Sequence, residues 1–304
     1  MSTFKIHSLG CGSAKPTPRH LPSCTVVEHR GNLFMVDCGE GAQLSFMRHH
    51  LKFSRLAHIF LTHLHGDHVL GLPGLISTLG LGEVGGTLTI HTFAEGKKIL
   101  TDIFKFFAPQ LSFDLKFDVI EPSGGIVLDT PVLTVRTVPL KHRIPTVGYV
   151  FEEKPKQRHI IPDMIAYHGV PVAQIRDVKA GADFVKPDGS VTPNSWLTRD
   201  ADPSLAYAHI SDTLYMPELA EKIGPVDLLF HETTYLDEHA QQARERFHST
   251  ARQAAQVARD AGAKCLLTGH YSSRYDDETP FATQAKEVFQ NVILGKEGLV
   301  TPLD

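Results

Sequence analysis

Long apolar runs, paired cysteines and an excess of positive charge are all missing from this 304-residue chain. The longest apolar stretch, Val69 to Leu81, falls short of the ~18 residues that cross a bilayer and is broken by Gly71, Pro73 and Gly74. No membrane segment is expected. Cys11, Cys24, Cys38 and Cys265 are widely spaced and form no CxxC pair, so buried, reduced thiols are expected. The start, MSTFKIHSLG, has no charged region followed by an apolar one; no secretory signal is expected, and the cytoplasm is the default compartment. Lys and Arg number 30 against 34 Asp and Glu, and a net charge of −4 excludes a generic basic coat for nucleic acid. No internal repeat or low-complexity tract occurs. What remains, 42% hydrophobic and 21% charged residues, is the composition of a globule with an ample core. One residue type is in surplus: histidine, with 18 copies, several of them clustered.

Strands and helices alternate along most of the chain, which points to an α/β or layered α+β architecture. The pattern predicts strands at Phe4–Leu9, Cys24–His29, Leu33–Asp37, Ala57–Thr62, Thr87–Thr92, Leu115–Ile120 and Leu133–Pro139. It predicts helices at Gly41–Leu51, Leu70–Leu79 and Glu95–Phe107. Three later strands, Leu205–Ile210, Val226–Phe230 and Cys265–Thr268, each stop at polar residues: Ser211-Asp212-Thr213, His231-Glu232-Thr233 and Gly269-His270. Helices are predicted between them at Pro217–Ile223 and Ala251–Ala261, the latter stopped by Gly262. Functional residues that collect at strand ends converge on one rim of a sheet. Residues 152–200 break the rhythm with five prolines, three glycines and little periodicity, and read as an inserted, partly extended arm within a single domain spanning 1–304.

The densest chemistry is His63-Leu64-His65-Gly66-Asp67-His68, directly after an apolar strand. Three imidazoles and a carboxylate suit a borderline-soft divalent cation such as zinc. A chain of this composition yields roughly 0.004 chance HxHxDH matches, so the cluster is a signal. Alternate residues of an extended segment point the same way, which pairs His63 with His65, while Gly66 lets Asp67 and His68 turn toward a second cation. Such a cluster cannot close a site alone. His142, Asp212 and His270 follow predicted strands and are the candidates to complete it. Taken singly, the two histidines also read as satisfied loop residues and Asp212 as a helix cap.

The chain resembles the metallo-β-lactamase superfamily and, within it, the ribonuclease Z family of tRNA 3′-processing endonucleases. The residues that carry the resemblance run nearly its whole length: Asp37-Cys38-Gly39-Glu40-Gly41, Thr62-His63-Leu64-His65-Gly66-Asp67-His68 with Gly71-Leu72-Pro73-Gly74, and Lys141-His142-Arg143. They continue through Ser211-Asp212-Thr213, His231-Glu232-Thr233, Phe247-His248-Ser249-Thr250 and Thr268-Gly269-His270. The THxHxDH element marks the superfamily; the HET and HST elements in this order mark the nuclease branch. The resemblance implies an αββα sandwich with an inserted substrate-binding arm, and two Zn²⁺ per subunit. Mn²⁺, Fe²⁺ or Co²⁺ also suit such N/O sites. It implies that His63, His65 and His142 hold one cation, that Asp67, His68 and His270 hold the other, and that Asp212 bridges them. It also implies precursor tRNA as substrate, Asp67 as a base for the attacking water, and a homodimer in which one subunit's arm presents tRNA to the other's active site.

Phosphodiester cleavage needs a proton donor for the leaving 3′-oxygen or a cation beside it, and His248 oriented by Glu232 fits the first role. The alternative is that His248 merely packs ahead of a capping box formed by Thr250 and Gln253; both can hold together. Two elements depart from the family pattern. Where the family has Pro-x-Lys-x-Arg-Asn, tied to discrimination against CCA ends, this chain has Pro16-Thr17-Pro18-Arg19-His20. The family's arm is basic, whereas residues 152–200 are net neutral, with basic residues at Lys154, Lys156, Arg158, Arg176, Lys179 and Lys186. The rival functional readings are a metallo-hydrolase of small phosphodiesters, esters or sulfates, and a non-catalytic zinc- or RNA-binding protein.

Overall fold

A computed structural model describes residues 4–82 and 85–303 of the chain. The reading of the first residues as free of a leader rests in part on 1–3, outside the described residues. Two compact units are present: one comprises Met1–Asp129, Val135–Phe151 and Leu205–Asp304, the other Thr130–Thr134 and Glu152–Ser204.

The larger unit is built on two seven-stranded sheets. In the first, the strands Phe4–Gly10, Cys24–His29 and Asn32–Val36 form an antiparallel meander. The sheet continues in parallel through Leu56–Phe60, Thr87–Thr92 and Asp114–Val119. In the second, Ala206–Ile210, Leu228–Glu232, Leu266–Gly269 and Val292–Leu294 run parallel, next to the strands Thr146–Glu153, Leu133–Leu140 and Gly125–Asp129.

Alternation along the strands builds the layers. Leu33, Met35 and Ile59 point toward the helices Ala42–Arg48, Leu72–Leu81 and Ala94–Phe107 and form one helix–sheet core. Their neighbours Phe34 and Phe60 face the second sheet, where Phe60 lies 5.2 Å from Tyr149 and 5.5 Å from Phe151, ring centre to ring centre. The buried Tyr149 hydroxyl donates to the Leu61 carbonyl at 2.7 Å and ties the sheets together. The other helix–sheet core joins Ile210, Leu229 and Leu266 to the helices Leu219–Ile223, Ala251–Asp260 and Thr279–Lys286. Helix, sheet, sheet, helix is the αββα order expected from the sequence.

Several elements differ from expectation at their ends. His231 and Glu232 lie inside the strand Leu228–Glu232 and do not follow it, because parallel pairing to Gly269 continues through Glu232. The helix expected from Pro217 begins at Leu219. The strands Gly125–Asp129 and Thr146–Glu153 and the helix Ala240–Arg246 carry no clear sequence period and were not expected. All four cysteines are free thiols, three of them buried. Among the described residues no helix is long and apolar enough to cross a membrane.

The smaller unit is more folded than a partly extended arm. It contains the helices Pro162–His168, Ile175–Lys179 and Asn194–Leu197 and two short antiparallel strand pairs, His159–Ile160 with Thr198–Arg199 and Phe184–Val185 with Val191–Thr192. Ile165, Val170, Val178, Phe184 and Leu197 form its own apolar cluster. Each helix spans two turns or fewer, too short to print a helical period on the sequence. Pro162 opens the first of them, and Gly169, at φ 66°, closes it in the left-handed conformation that glycine adopts freely.

Candidate metal and catalytic centre

Seven side chains that the sequence reading selected gather where the parallel strands end. His63, His65, His142 and Asp212 bring one ligand atom each within 4.8 Å of one another, as do Asp67, His68 and His270. In the first group His63 Nε2 and His142 Nε2 lie 3.0 and 3.2 Å from His65 Nδ1. Nitrogens around one tetrahedral cation at ~2.05 Å stand about 3.3 Å apart, so the trio is spaced for a shared ion. Asp212 lies between the groups and divides its oxygens. Oδ2 is 3.7 Å from both His63 Nε2 and His142 Nε2, while Oδ1 is 3.2 Å from His270 Nε2 and 3.6 Å from His68 Nε2. Asp67 Oδ2 is 3.5 and 3.6 Å from His68 Nε2 and His270 Nε2.

The donor set fits two divalent cations on a further count. His68 Nε2 and His270 Nε2 are buried without a hydrogen-bond partner. A buried orphan nitrogen costs about 1–3 kcal/mol unless something pairs with it. Two of them aimed at the same carboxylates mark a place for positive charge.

In four of these imidazoles the opposite ring nitrogen is held, which sets the ring's aim and, where the partner is an obligate acceptor, its tautomer. His68 Nδ1 donates to Asp37 Oδ2 at 2.7 Å, and His142 Nδ1 donates to the Phe247 carbonyl at 2.9 Å. His63 Nδ1 and His270 Nδ1 pair with the hydroxyls of Thr62 and Thr234 at 3.0 and 2.9 Å. Asp37 is buried and also accepts from the Thr62 amide at 2.8 Å. Three non-glycine residues here adopt left-handed backbone, Asp37, Phe247 and His270 at φ 59°, 59° and 61°, strain of the kind that functional sites retain. The loops bearing Asp37 and His68 touch through glycines. A Cβ on Gly71 would lie 2.1 Å from the Gly39 carbonyl oxygen.

Burial drives His63 well below the usual histidine range, helped by the neighbouring His68, and lowers His65 and His142 too, leaving them neutral and able to ligate. Burial opposes charge on His68 as well, but Asp37 and Asp212 override it and raise that imidazole. A cation must displace its proton, so metal affinity rises with pH. Burial works to raise Asp67 and Asp212, but surrounding imidazoles win and hold both carboxyls well below the usual range.

His248 and Glu232 adjoin the second group. Glu232 is fully buried and accepts hydrogen bonds from the Thr213, Thr234 and Ser249 amides at 3.2, 2.9 and 2.9 Å. His248 Nδ1 lies 3.0 Å from Glu232 Oε1. Burial works against charge on His248, but Glu232 and then Asp212 raise its pKa to about 9. The capping box also forms: Thr250 accepts from the Gln253 amide, and the Gln253 side chain accepts from Thr250. Cap and imidazole therefore coexist.

Asp37, Thr62 and Thr234 orient the imidazoles, a role that no residue spacing in the sequence announces, and spacing announces no role for Arg143, Arg246 and Tyr235 either. Those three help to line a cavity of about 690 Å³ above His65, Asp67, His142 and His270. Asp37 carried a usable signal, since it closes a buried strand as Asp212 does. Arg19, kept in the departing loop, is engaged within the chain: its guanidinium donates to Glu278 Oε1 at 2.8 Å and to the Asp276 carbonyl at 2.5 Å. His20 bridges Glu278 and Glu297 at 2.9 and 3.0 Å. The same loop reaches the centre through the Ala14 amide, which donates to Asp67 Oδ2 at 2.7 Å.

A family model described as Beta-lactamase superfamily domain matches residues 194–271, and one described as Anti-Pycsar protein Apyc1 matches residues 4–80. Among solved structures, human tRNase Z, short form, superposes with a TM-score of 0.72 at 24% identity, covering 99% of each chain. The metallo-β-lactamase fold protein YhfI from Bacillus subtilis does so with a TM-score of 0.70 at 18% identity, also covering 99% of each chain. The fold is that of the metallo-β-lactamase superfamily. Ribonuclease Z of Parabacteroides distasonis is 47% identical over 98% of this chain and 99% of its own length. Ribonuclease Z of Bacteroides fragilis is 46% identical over 100% of both. The chain belongs to the ribonuclease Z family.

Proposed function

We propose that the protein cuts the 3′ trailer from precursor tRNA, leaving a 3′-hydroxyl on the tRNA and a 5′-phosphate on the trailer, with the centre described above as its active site. The carrying observation is the pair of ligand groups sharing Asp212, in a chain that matches ribonuclease Z from end to end. His63, His65 and His142 would hold one cation, Asp67, His68 and His270 the other, with Asp212 between them. Zinc suits these nitrogen and oxygen donors, two ions per subunit. When bound, such a pair lowers the pKa of water and neutralises charge on a phosphodiester.

The remaining work falls to the chain. Asp67 accepts the proton of the attacking water. Its Ala14 hydrogen bond keeps one carboxylate oxygen oriented. His248, charged and held through Nδ1 by Glu232, presents Nε2 to protonate the departing 3′-oxygen. Arg143 and Arg246, on the wall of the cavity, meet the phosphates of the trailer. We place this activity in the cytoplasm and in a homodimer, on the strength of family membership.

In the test, metal-loaded wild-type protein cleaves matched precursor tRNAs, with and without an encoded CCA, and His65→Ala cleaves neither. Failure of the loaded wild type to cleave any precursor overturns the function. The CCA pair of substrates reads out the departure at Pro16–His20, where Arg19 pairs with Glu278 at the surface.

We assign tRNA gripping to the smaller unit. It is net neutral, but Tyr167 and Trp196 are 81% and 56% exposed, and Arg176 and Arg199 are exposed and form no ion pair among the described residues. Exposed rings stack on bases, and each stacked base contributes about 1–3 kcal/mol. Trp196 is the chain's single tryptophan, so its fluorescence reports on this unit alone. Precursor tRNA is expected to quench it, and Trp196→Ala is expected to raise KM for precursor tRNA about 10-fold without slowing cleavage of bis(p-nitrophenyl) phosphate. Unchanged fluorescence at saturating tRNA would remove the unit from the binding surface.

A further inference from the structure

A second cavity, of about 550 Å³, adjoins the first, and among the described residues His248 alone lines both. The second holds none of the candidate metal ligands. Its wall is formed by Leu214, Tyr215, Gln241, Arg244 and Gln253 besides His248. The volume lies within the ~300–1,000 Å³ of small-molecule sites. Tyr215 is half-buried and packs against the helix–sheet core, which gives its ring a fixed place. Gln253 uses its side-chain oxygen on the Thr250 amide, which leaves its amide hydrogens for another acceptor. The helix Ala240–Arg246 supplies a cation to each side of His248, Arg246 to the first cavity and Arg244 to the second.

We infer that this second cavity seats the nucleoside immediately 5′ of the cut, the last nucleoside of the mature tRNA body, with its base against Tyr215. The inference rests on the proposed reaction and follows from its geometry. The attacking water and the leaving 3′-oxygen lie roughly in line on opposite sides of phosphorus. As the water oxygen bonds to phosphorus, the P–O3′ bond breaks and its electron pair stays on O3′, which takes the proton from His248. One proton of the water passes to Asp67. The oxygen that meets His248 belongs to the upstream ribose. That ribose and its base therefore extend past His248, away from Asp67 and Asp212 and into the cavity on its other side. Arg244 stands there for the next phosphate upstream, and the ring of Tyr215 provides a face that stacks on any base. A family of tRNAs that differ at this nucleoside needs such a sequence-tolerant seat.

The test uses holoenzyme and three precursor tRNAs: intact, abasic immediately 5′ of the cut, and abasic immediately 3′ of it. For the wild type, loss of the 5′ base is expected to lower kcat/KM about 10-fold, and loss of the 3′ base to leave it within about 2-fold. Tyr215→Ala is expected to lower kcat/KM on the intact precursor by the same factor, with no further loss on the 5′-abasic one. Tyr215→Phe is expected to behave as wild type, because the stacking face remains. Because the abasic comparison needs no mutation, it stands even if Tyr215→Ala folds poorly. Losses that add in full, equal responses to the two abasic substrates, or a response to the 3′ base alone would overturn the assignment; the last would place the trailer in the cavity. No cleavage of the intact precursor overturns the function and the seat together, whereas the other failures remove the seat and leave the function standing.

Discussion

Asp212→Asn is expected to lower kcat/KM for precursor tRNA by about 10⁴-fold and to leave the protein holding fewer than two equivalents of metal. The reason is the division of its oxygens, one facing His63 and His142, the other His68 and His270. Disturbing even a partner one step removed from a metal typically costs 10–100-fold, so a direct ligand shared by two cations is expected to cost at least about 100-fold at each, which compounds to this figure. Asparagine keeps the volume and one acceptor but lacks the charge that both groups share. Metal content by elemental analysis separates this from a pure loss of catalysis. Melting in chelator separates it from misfolding, since the metal-free variant should unfold within a few degrees of the metal-free wild type. Two retained equivalents with wild-type turnover would remove Asp212 from the bridging position.

The second large effect belongs to Glu232→Gln, expected to lower kcat about 10²–10⁴-fold while both metal equivalents stay bound. The distinctive readout is pH. Burial opposes charge on His248, Glu232 is the largest cause that raises it, and the resulting value is about 9. A proton donor works only while charged, so activity falls as pH rises through that pKa. Cations bound at the centre would lower the value in both proteins. The variant additionally loses the carboxylate, so its alkaline limb must lie at lower pH than that of the wild type. His248→Ala should abolish the limb. If Glu232→Gln moved no limb, the carboxylate would be structural, a cradle for the amides of Thr213, Thr234 and Ser249.

The ligand groups were legible in the sequence because metal chemistry restricts residue type and because strands end abruptly. Apolar runs stopping at Asp212 and His270 mark the ends of parallel strands, and the structure gathers those ends. The supporting shell was not legible. Thr62 and Thr234 are ordinary hydroxyls until the fold places them against His63 and His270, and Phe247 acts through its backbone carbonyl, which no side chain announces. The strand Leu228–Glu232 runs two residues past Phe230, an extension hidden in the sequence because polar residues inside a buried strand look like its end. The smaller unit stands where the insertion is expected, at Glu152–Ser204, and its internal order is hidden for a different reason. Its cluster around Ile165, Val178 and Leu197 joins helices too short to show a period, so a folded unit presented as punctuation.

Each candidate cation would take two ligands from the first sheet's loops and two from the second's. His63 and His65 meet His142 and Asp212; Asp67 and His68 meet His270 and Asp212. Neither half of the sandwich can therefore grip an ion alone, and His63 and His270 stand two thirds of the chain apart. Contacts of such separation close late in folding. Metals held there would act as a clasp on a finished object: a nascent chain with one sheet built would stay empty, and only a molecule with both sheets docked would become armed. For an enzyme that cuts RNA, that ordering keeps unfinished copies harmless.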